Sequence, residues 1–125
     1  MDTEQLRKEQ GLVVLVCDDE PHILRLVEVN LERMGFTVET AVNGRDALEK
    51  LKTLRPSLVL LDVMMPYIDG FEVLRVIRKN PDTAKIPVVM LSVRAQEGDA
   101  RRAIEAGADG YLTKPFNPEE LRRFL

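Results

Sequence analysis

The chain has 125 residues, 45% of them hydrophobic, with a formal net charge of −3 and a single cysteine, Cys17. That length is one domain's worth and buries roughly two thirds of the unfolded surface, enough for a self-supporting core. The composition excludes an internal disulfide, a thiolate metal cluster and a membrane span, and the acidic balance argues against nucleic-acid binding by this domain's own surface.

Residues 1–10 form a polar leader without the apolar stretch of a signal peptide, so the expected location is cytoplasmic. Residues 11–125 carry the domain. An apolar run at 12–17 predicts a first strand and stops at Asp18-Asp19. Pro21 then opens a helix, with Ile23, Leu24, Val27, Leu31 and Met34 in one apolar stripe and Gly35 at its end. Residues 36–41 alternate as a half-exposed strand. Asn43-Gly44 turns into a second helix with Ala47, Leu48, Leu51 and Leu54 inward, closed by Arg55-Pro56. The run 58–61 stops at Asp62, and residues 65–70 form a loop before a third helix marked by Phe71, Leu74 and Ile77. After a loop at 80–86, the run 88–91 stops at Ser92. Residues 96–106 predict a fourth helix that contributes alanines and Ile104 to the core, with Gly107 as its cap. The last strand, 110–114, delivers Lys114 to its end, and the following Pro115 suits a cis peptide bond that would aim the lysine inward. Asn117-Pro118-Glu119-Glu120 starts a fifth helix, whose stripe of Leu121, Phe124 and Leu125 looks clipped, as in a piece of a longer protein.

Buried strands alternating with helices define an α/β protein with a parallel sheet. The runs at 12–17, 58–61 and 88–91 are continuously apolar and belong in the centre, whereas 36–41 and 110–114 are mixed and belong at the edges. The order 2-1-3-4-5 fits, a flavodoxin-like (βα)5 doubly wound sheet with its switch point between strands one and three. Asp18 and Asp19 then lie beside Asp62.

Three neighbouring carboxylates repel one another unless a cation or protons intervene, and a hard divalent ion such as Mg²⁺ is held by few carboxylates plus water. Helix capping could account for one of the pair Asp18-Asp19 but not for Asp62. Lys114 reaches the same rim, where it could form a plain salt bridge, and Ser92 could cap a helix or donate to a bound anion. Together they make a phosphoryl site in which Asp62, between the acids and the Lys114/Ser92 side, is the nucleophile candidate and the product an aspartyl phosphate. His22 reads as a solvated first-turn residue and Cys17 as a small buried hydrophobe.

Asp18-Asp19, the segment Leu61-Asp62-Val63-Met64-Met65-Pro66 with Asp69-Gly70 behind it, Ser92, and the stretch from Gly107 to Phe116 resemble the receiver domain of two-component response regulators. The resemblance spans residues 11–125. It implies that Asp62 accepts a phosphoryl group from the histidine of a sensor kinase or phosphotransfer protein. It further implies that Asp19 and Asp62 bind Mg²⁺ directly, Asp18 mainly through water, and the Met64 backbone carbonyl as a further ligand. Ser92 and Lys114 would bind the phosphoryl oxygens, and Tyr111 would be the switch aromatic that relays the change to the face of the fourth helix, fifth strand and fifth helix. That face would address an output domain beyond residue 125, a protein target, or a second copy in a homodimer. A fourth helix with little apolar bulk suits a switching element.

The sequence departs from the family pattern at Val93 and Arg94, which follow Ser92 and are expected to crowd or screen Asp62 and slow its chemistry. Gly110 and Phe124 replace an acid and an arginine common in winged-helix regulators, which weakens the case for that subfamily's dimer. Three rivals remain. A turnover Mg²⁺ phosphohydrolase needs a second acid two residues after its nucleophile, where Met64 stands. A flavodoxin needs a Ser/Thr/Gly-rich first loop instead of an acid pair. A degenerate receiver acting as a phosphate-independent interaction module is the closest alternative.

Overall fold

The computed structural model describes residues 12–93, 98–114 and 116–124. Five strands, β1 (Val13–Cys17), β2 (Thr37–Ala41), β3 (Leu58–Asp62), β4 (Val88–Ser92) and β5 (Gly110–Thr113), pair in parallel in the order β2-β1-β3-β4-β5. Helices α1 (Pro21–Arg33), α2 (Gly44–Lys50), α3 (Gly70–Lys79) and α4 (Asp99–Glu105) cross between them, and a 3-10 helix (Pro118–Phe124) follows β5. This is the expected flavodoxin-like doubly wound sheet. Among the described residues no helix is long and apolar enough to cross a membrane.

Strand composition sets the layers. Every residue of β3 and β4 is buried, because helices cover both faces, whereas the edge strands β2 and β5 alternate. Along β3 the side chains of Leu58 and Leu60 join the core beneath α1 and the 3-10 helix, with Leu24, Val27, Leu31, Phe36 and Leu121. Val59 and Leu61 point the other way, into the core beneath α2 and α3 with Ala47, Leu51, Leu74 and Ile77. This two-sided burial fixes the register of the central strands and brings their carboxyl ends to one rim.

Two expectations are corrected. Residues 96 and 97 lie outside the described residues, but α4 begins only at Asp99, because Gly98 adopts a left-handed φ of 98° that no helix continues through. Ile104 does not face the core. It is 53% exposed, whereas the expected alanines hold: Ala103 is the buried residue of α4 and Ala106 packs against the same core. The closing helix is 3-10, whose three-residue period places Leu121 and Phe124 on the same side, both against the α1-side core. The leader at 1–10, Arg94, Pro115 and Leu125 lie outside the described residues.

Two interactions shape the edge around β5. The Arg78 guanidinium donates to the carbonyls of Gly107 (2.8 Å), Ala84 (3.1 Å) and Ile86 (2.6 Å) and to Asp109 Oδ2 (2.8 Å), which also accepts from Val88 N. One side chain thus joins α3 to the loops entering β4 and β5. Arg78→Met takes the shared donor away from the carbonyls of Gly107, Ala84 and Ile86, while Asp109 keeps its bond from Val88 N, and is expected to lower stability by about 2 kcal/mol, read from urea unfolding. At Gly110 a Cβ would stand 2.4 Å from Phe124 Cζ, so the glycine is the seat of that ring. The paired departure at Gly110 and Phe124 is therefore one packing solution. Gly110→Ala is expected to cost about 1 kcal/mol and Phe124→Ala to remove most of that penalty in a double-mutant cycle.

Candidate functional site

The site lies where β1 and β3 end. Asp18 follows β1 and is held by its neighbours: Oδ1 accepts from Glu20 N (2.9 Å) and Oδ2 from Lys114 Nζ (2.5 Å). It is 1% exposed. Capping does not explain it, because the N-cap of α1 is Glu20, which makes no side-chain cap bond. Asp19 is exposed, and Asp62, the last residue of β3, is buried. Oxygens of Asp18, Asp19 and Asp62 lie within 4.8 Å of one another.

Lys114 follows β5 and its ammonium lies 3.5 Å from Asp62 Oδ1 as well as against Asp18, with a side chain only 5% exposed. One buried cation thus faces two buried carboxylates. Ser92 ends β4 beside Thr113, is buried, and accepts through its carbonyl from Lys114 N (2.7 Å), which fixes the lysine backbone to the β4 terminus. Asp62 Oδ1 also accepts from Met64 N (3.3 Å). Burial raises the Asp62 carboxyl to about 7, against the opposing attraction of Lys114, and the Asp18 carboxylate adds to the rise. A carboxyl held that high is one that a neighbouring cation returns to its ionised form.

The donor set is all oxygen, compact and partly open to solvent, which fits a hard divalent ion and not a soft one. Cys17 does not join it: its buried Sγ faces Asn43 O and Met65 Sδ, and burial pushes the thiol up to about 12. His22 is exposed on the first turn of α1, as expected. Tyr111 is half-buried against the core on the α3 side. Arg102 is a neighbour of the site that sequence reasoning misses. Its guanidinium stacks 4.0 Å from the Phe71 ring centroid and borders a cleft with Asp19, Met64 and Pro66. The signal for it is tertiary, since nothing local marks an arginine on α4 as a neighbour of α3.

The loop after Asp62 is braced at both ends. Gly70 N donates to Val63 O (2.9 Å), and Asp69 caps α3 by accepting from Glu72 N (2.9 Å). A Cβ at Gly70 would come within 2.3 Å of Asp62 O, so only glycine lets α3 start this close to the acid. Tyr67, within the loop, has φ 70°, a left-handed conformation that costs of order 1–3 kcal/mol for a non-glycine residue.

A parallel doubly wound sheet that gathers three aspartates and a buried lysine at the carboxyl ends of its strands defines a class of α/β domains with an acidic, lysine-paired rim. The family model for the response regulator receiver domain matches residues 14–125. The alkaline phosphatase synthesis transcriptional regulatory protein PhoP of Bacillus subtilis is 44% identical over 108 residues, covering 86% of this chain and 44% of that protein. Protein PilG of Pseudomonas aeruginosa is 39% identical, covering 92% of this chain and 85% of that protein. The solved structure of chemotaxis protein CheY4 of Vibrio cholerae superposes with a TM-score of 0.85 at 36% identity, covering 91% of this chain and 98% of that one. The chain belongs to the response regulator receiver domain family, whose members serve as switches in phosphorylation-dependent signalling. It spans less than half the length of PhoP and of the DNA-binding regulator RpaA of Synechocystis.

Proposed function

We propose that this domain is a phosphorylation-activated switch in which Asp62 accepts a phosphoryl group from the histidine of a sensor kinase or phosphotransfer protein. The observation that carries the reading is the pairing of a recessed Asp62 with Lys114 at 3.5 Å and Asp18 alongside. In the reaction an Asp62 oxygen attacks phosphorus in line as the N–P bond of the phosphohistidine breaks, and the imidazole leaves with the bonding pair. Lys114 and the Ser92 hydroxyl hold the phosphoryl oxygens as charge develops on them. Because Lys114 also binds Asp18, the phosphoryl group finds its cation already positioned and desolvated.

Asp18, Asp19 and Asp62, with the Met64 carbonyl, would hold Mg²⁺, which when bound supplies positive charge against the phosphoryl oxygens. Ser92 is the hydroxyl that follows the new phosphoryl group, Tyr111 the aromatic that turns with it, and the α4, β5 and 3-10 helix face the surface that reports the change. The low apolar burial of α4, where Ala103 alone is buried, supports that assignment. The exposed Ile104 offers that face an apolar contact for an output domain, a protein target or a second copy. Residues 11–125 act as the receiver domain behind a polar leader, in the cytoplasm, and Val93 slows access to Asp62.

The test is chemical. Label introduced from radiolabelled acetyl phosphate is expected to be removed by hydroxylamine, as an acyl phosphate is. Label that survives hydroxylamine contradicts an aspartyl phosphate.

A further inference from the structure

We propose that Tyr67 is the anchor by which a phosphohistidine-bearing donor protein docks over Asp62, an inference that rests on the phosphoacceptor reading of Asp62. Ile68 N donates to Pro66 O (2.9 Å), which closes a three-residue turn around Tyr67, and the φ of 70° is of the sign found in the rare, strained form of that turn. Among the described residues Tyr67 is the one non-glycine with positive φ. The turn sits on a firm base, because Met65 is buried beside it and Ile68 packs against the core. The ring itself is 86% exposed. A bulky aromatic at this position therefore gains the fold neither burial nor an easy backbone, and asparagine or glycine would suit the turn better. Its use lies outside the chain.

The surroundings identify the partner. Met64 (64% exposed) and Tyr67 lie on the segment that leaves β3 after Asp62, and Val93 (63% exposed) directly follows the end of β4, so all three belong to the segments leaving the strand ends where Asp62 is recessed at 5% exposure. A phosphoryl donor reaches Asp62 by crossing this rim. Aromatic and methionine side chains around a polar centre are the composition of an interface core, where they exclude water from the groups within. A small anionic donor needs only the charged floor formed by Lys114 and the acids. A protein donor has apolar surface to set against the rim, and excluding water there strengthens the hold of Lys114 on the transferred group. The rim thus fits a protein carrying its phosphohistidine among apolar side chains.

The experiment compares two donors on wild type, Tyr67→Asn, which keeps a residue tolerant of the turn, and Tyr67→Phe, which keeps the ring. One donor is acetyl phosphate. The other is the fastest donor to wild type from a panel of purified sensor-kinase cores carrying radiolabelled phosphate on their histidine. Tyr67→Asn is expected to raise KM for the kinase core at least about tenfold while labelling by acetyl phosphate stays within about twofold, and Tyr67→Phe to transfer like wild type. Kinase transfer to Tyr67→Asn within about twofold of wild type, or an equal slowing with both donors, overturns the proposal. Wild type labelled by neither donor overturns the phosphoacceptor reading and this inference with it.

Discussion

Lys114→Met is expected to destabilise the metal-free protein by about 3–5 kcal/mol at pH 8, because it leaves Asp18 and Asp62 facing each other without their shared cation. Methionine fills much of the lysine stem, so the loss is of charge more than of packing. The pH dependence separates the two. Lys114 opposes the rise of the Asp62 carboxyl, so removing it drives that carboxyl further up. As pH falls Asp62 takes a proton, the repulsion with Asp18 ends, and the deficit of the variant shrinks. Urea unfolding in EDTA at pH 8 and pH 5 measures this directly. A deficit of the same size at both values would assign the effect to packing. Phosphorylation by acetyl phosphate should fall by at least about 100-fold, as when a single transition-state donor is removed from a preorganised site.

Asp62→Asn is expected to abolish phosphorylation and at the same time to stabilise the metal-free fold at neutral and higher pH. The sign follows from the Asp62 carboxyl, raised from 3.8 to about 7 chiefly by burial. Between these values the native state binds a proton that the unfolded state has released, so stability contributed by this group is full below about pH 4 and falls as pH rises through 7. A rise of that size corresponds to about 4 kcal/mol at most, and relaxation of the site reduces it. The asparagine cannot ionise and escapes the fall. In EDTA, the variant should therefore unfold at a higher temperature than wild type at pH 8 and at a similar one near pH 4. Added Mg²⁺ should raise the wild-type midpoint at pH 8 and leave the variant nearly unmoved. A variant less stable than wild type at pH 8 would contradict the charge account.

Most of the scaffold is legible in the sequence because burial on both faces writes itself into the strands. Continuous runs such as Val59–Leu61 and Val88–Leu91 mark the centre, and the alternation of Thr37–Ala41 marks an edge, so the order of the sheet can be read. The acids are legible for the same reason, since Asp62 ends β3, Asp18 and Asp19 follow β1, and the strands end at one rim. What escapes is set by tertiary contacts. The phase of α4 is poorly encoded because one buried alanine specifies a helix face weakly, and Ile104 takes the core position in the pattern while standing outward in the structure. The hub at Arg78 is invisible because its acceptors are backbone carbonyls, which any sequence supplies. Gly110 and Phe124 each stand out, yet only their contact shows that they answer one another. Tyr67 reads as an ordinary loop residue, because a left-handed backbone at a tyrosine carries no local signature.

The most direct measurement is intact mass after incubation with acetyl phosphate, with and without Mg²⁺, for wild type and Asp62→Asn in parallel. A gain of one phosphoryl group that requires Mg²⁺ and is absent in the variant is the predicted result. A folded wild type that gains no phosphoryl group, or an Asp62→Asn that gains one at the same rate, would contradict the assignment of Asp62 as the acceptor.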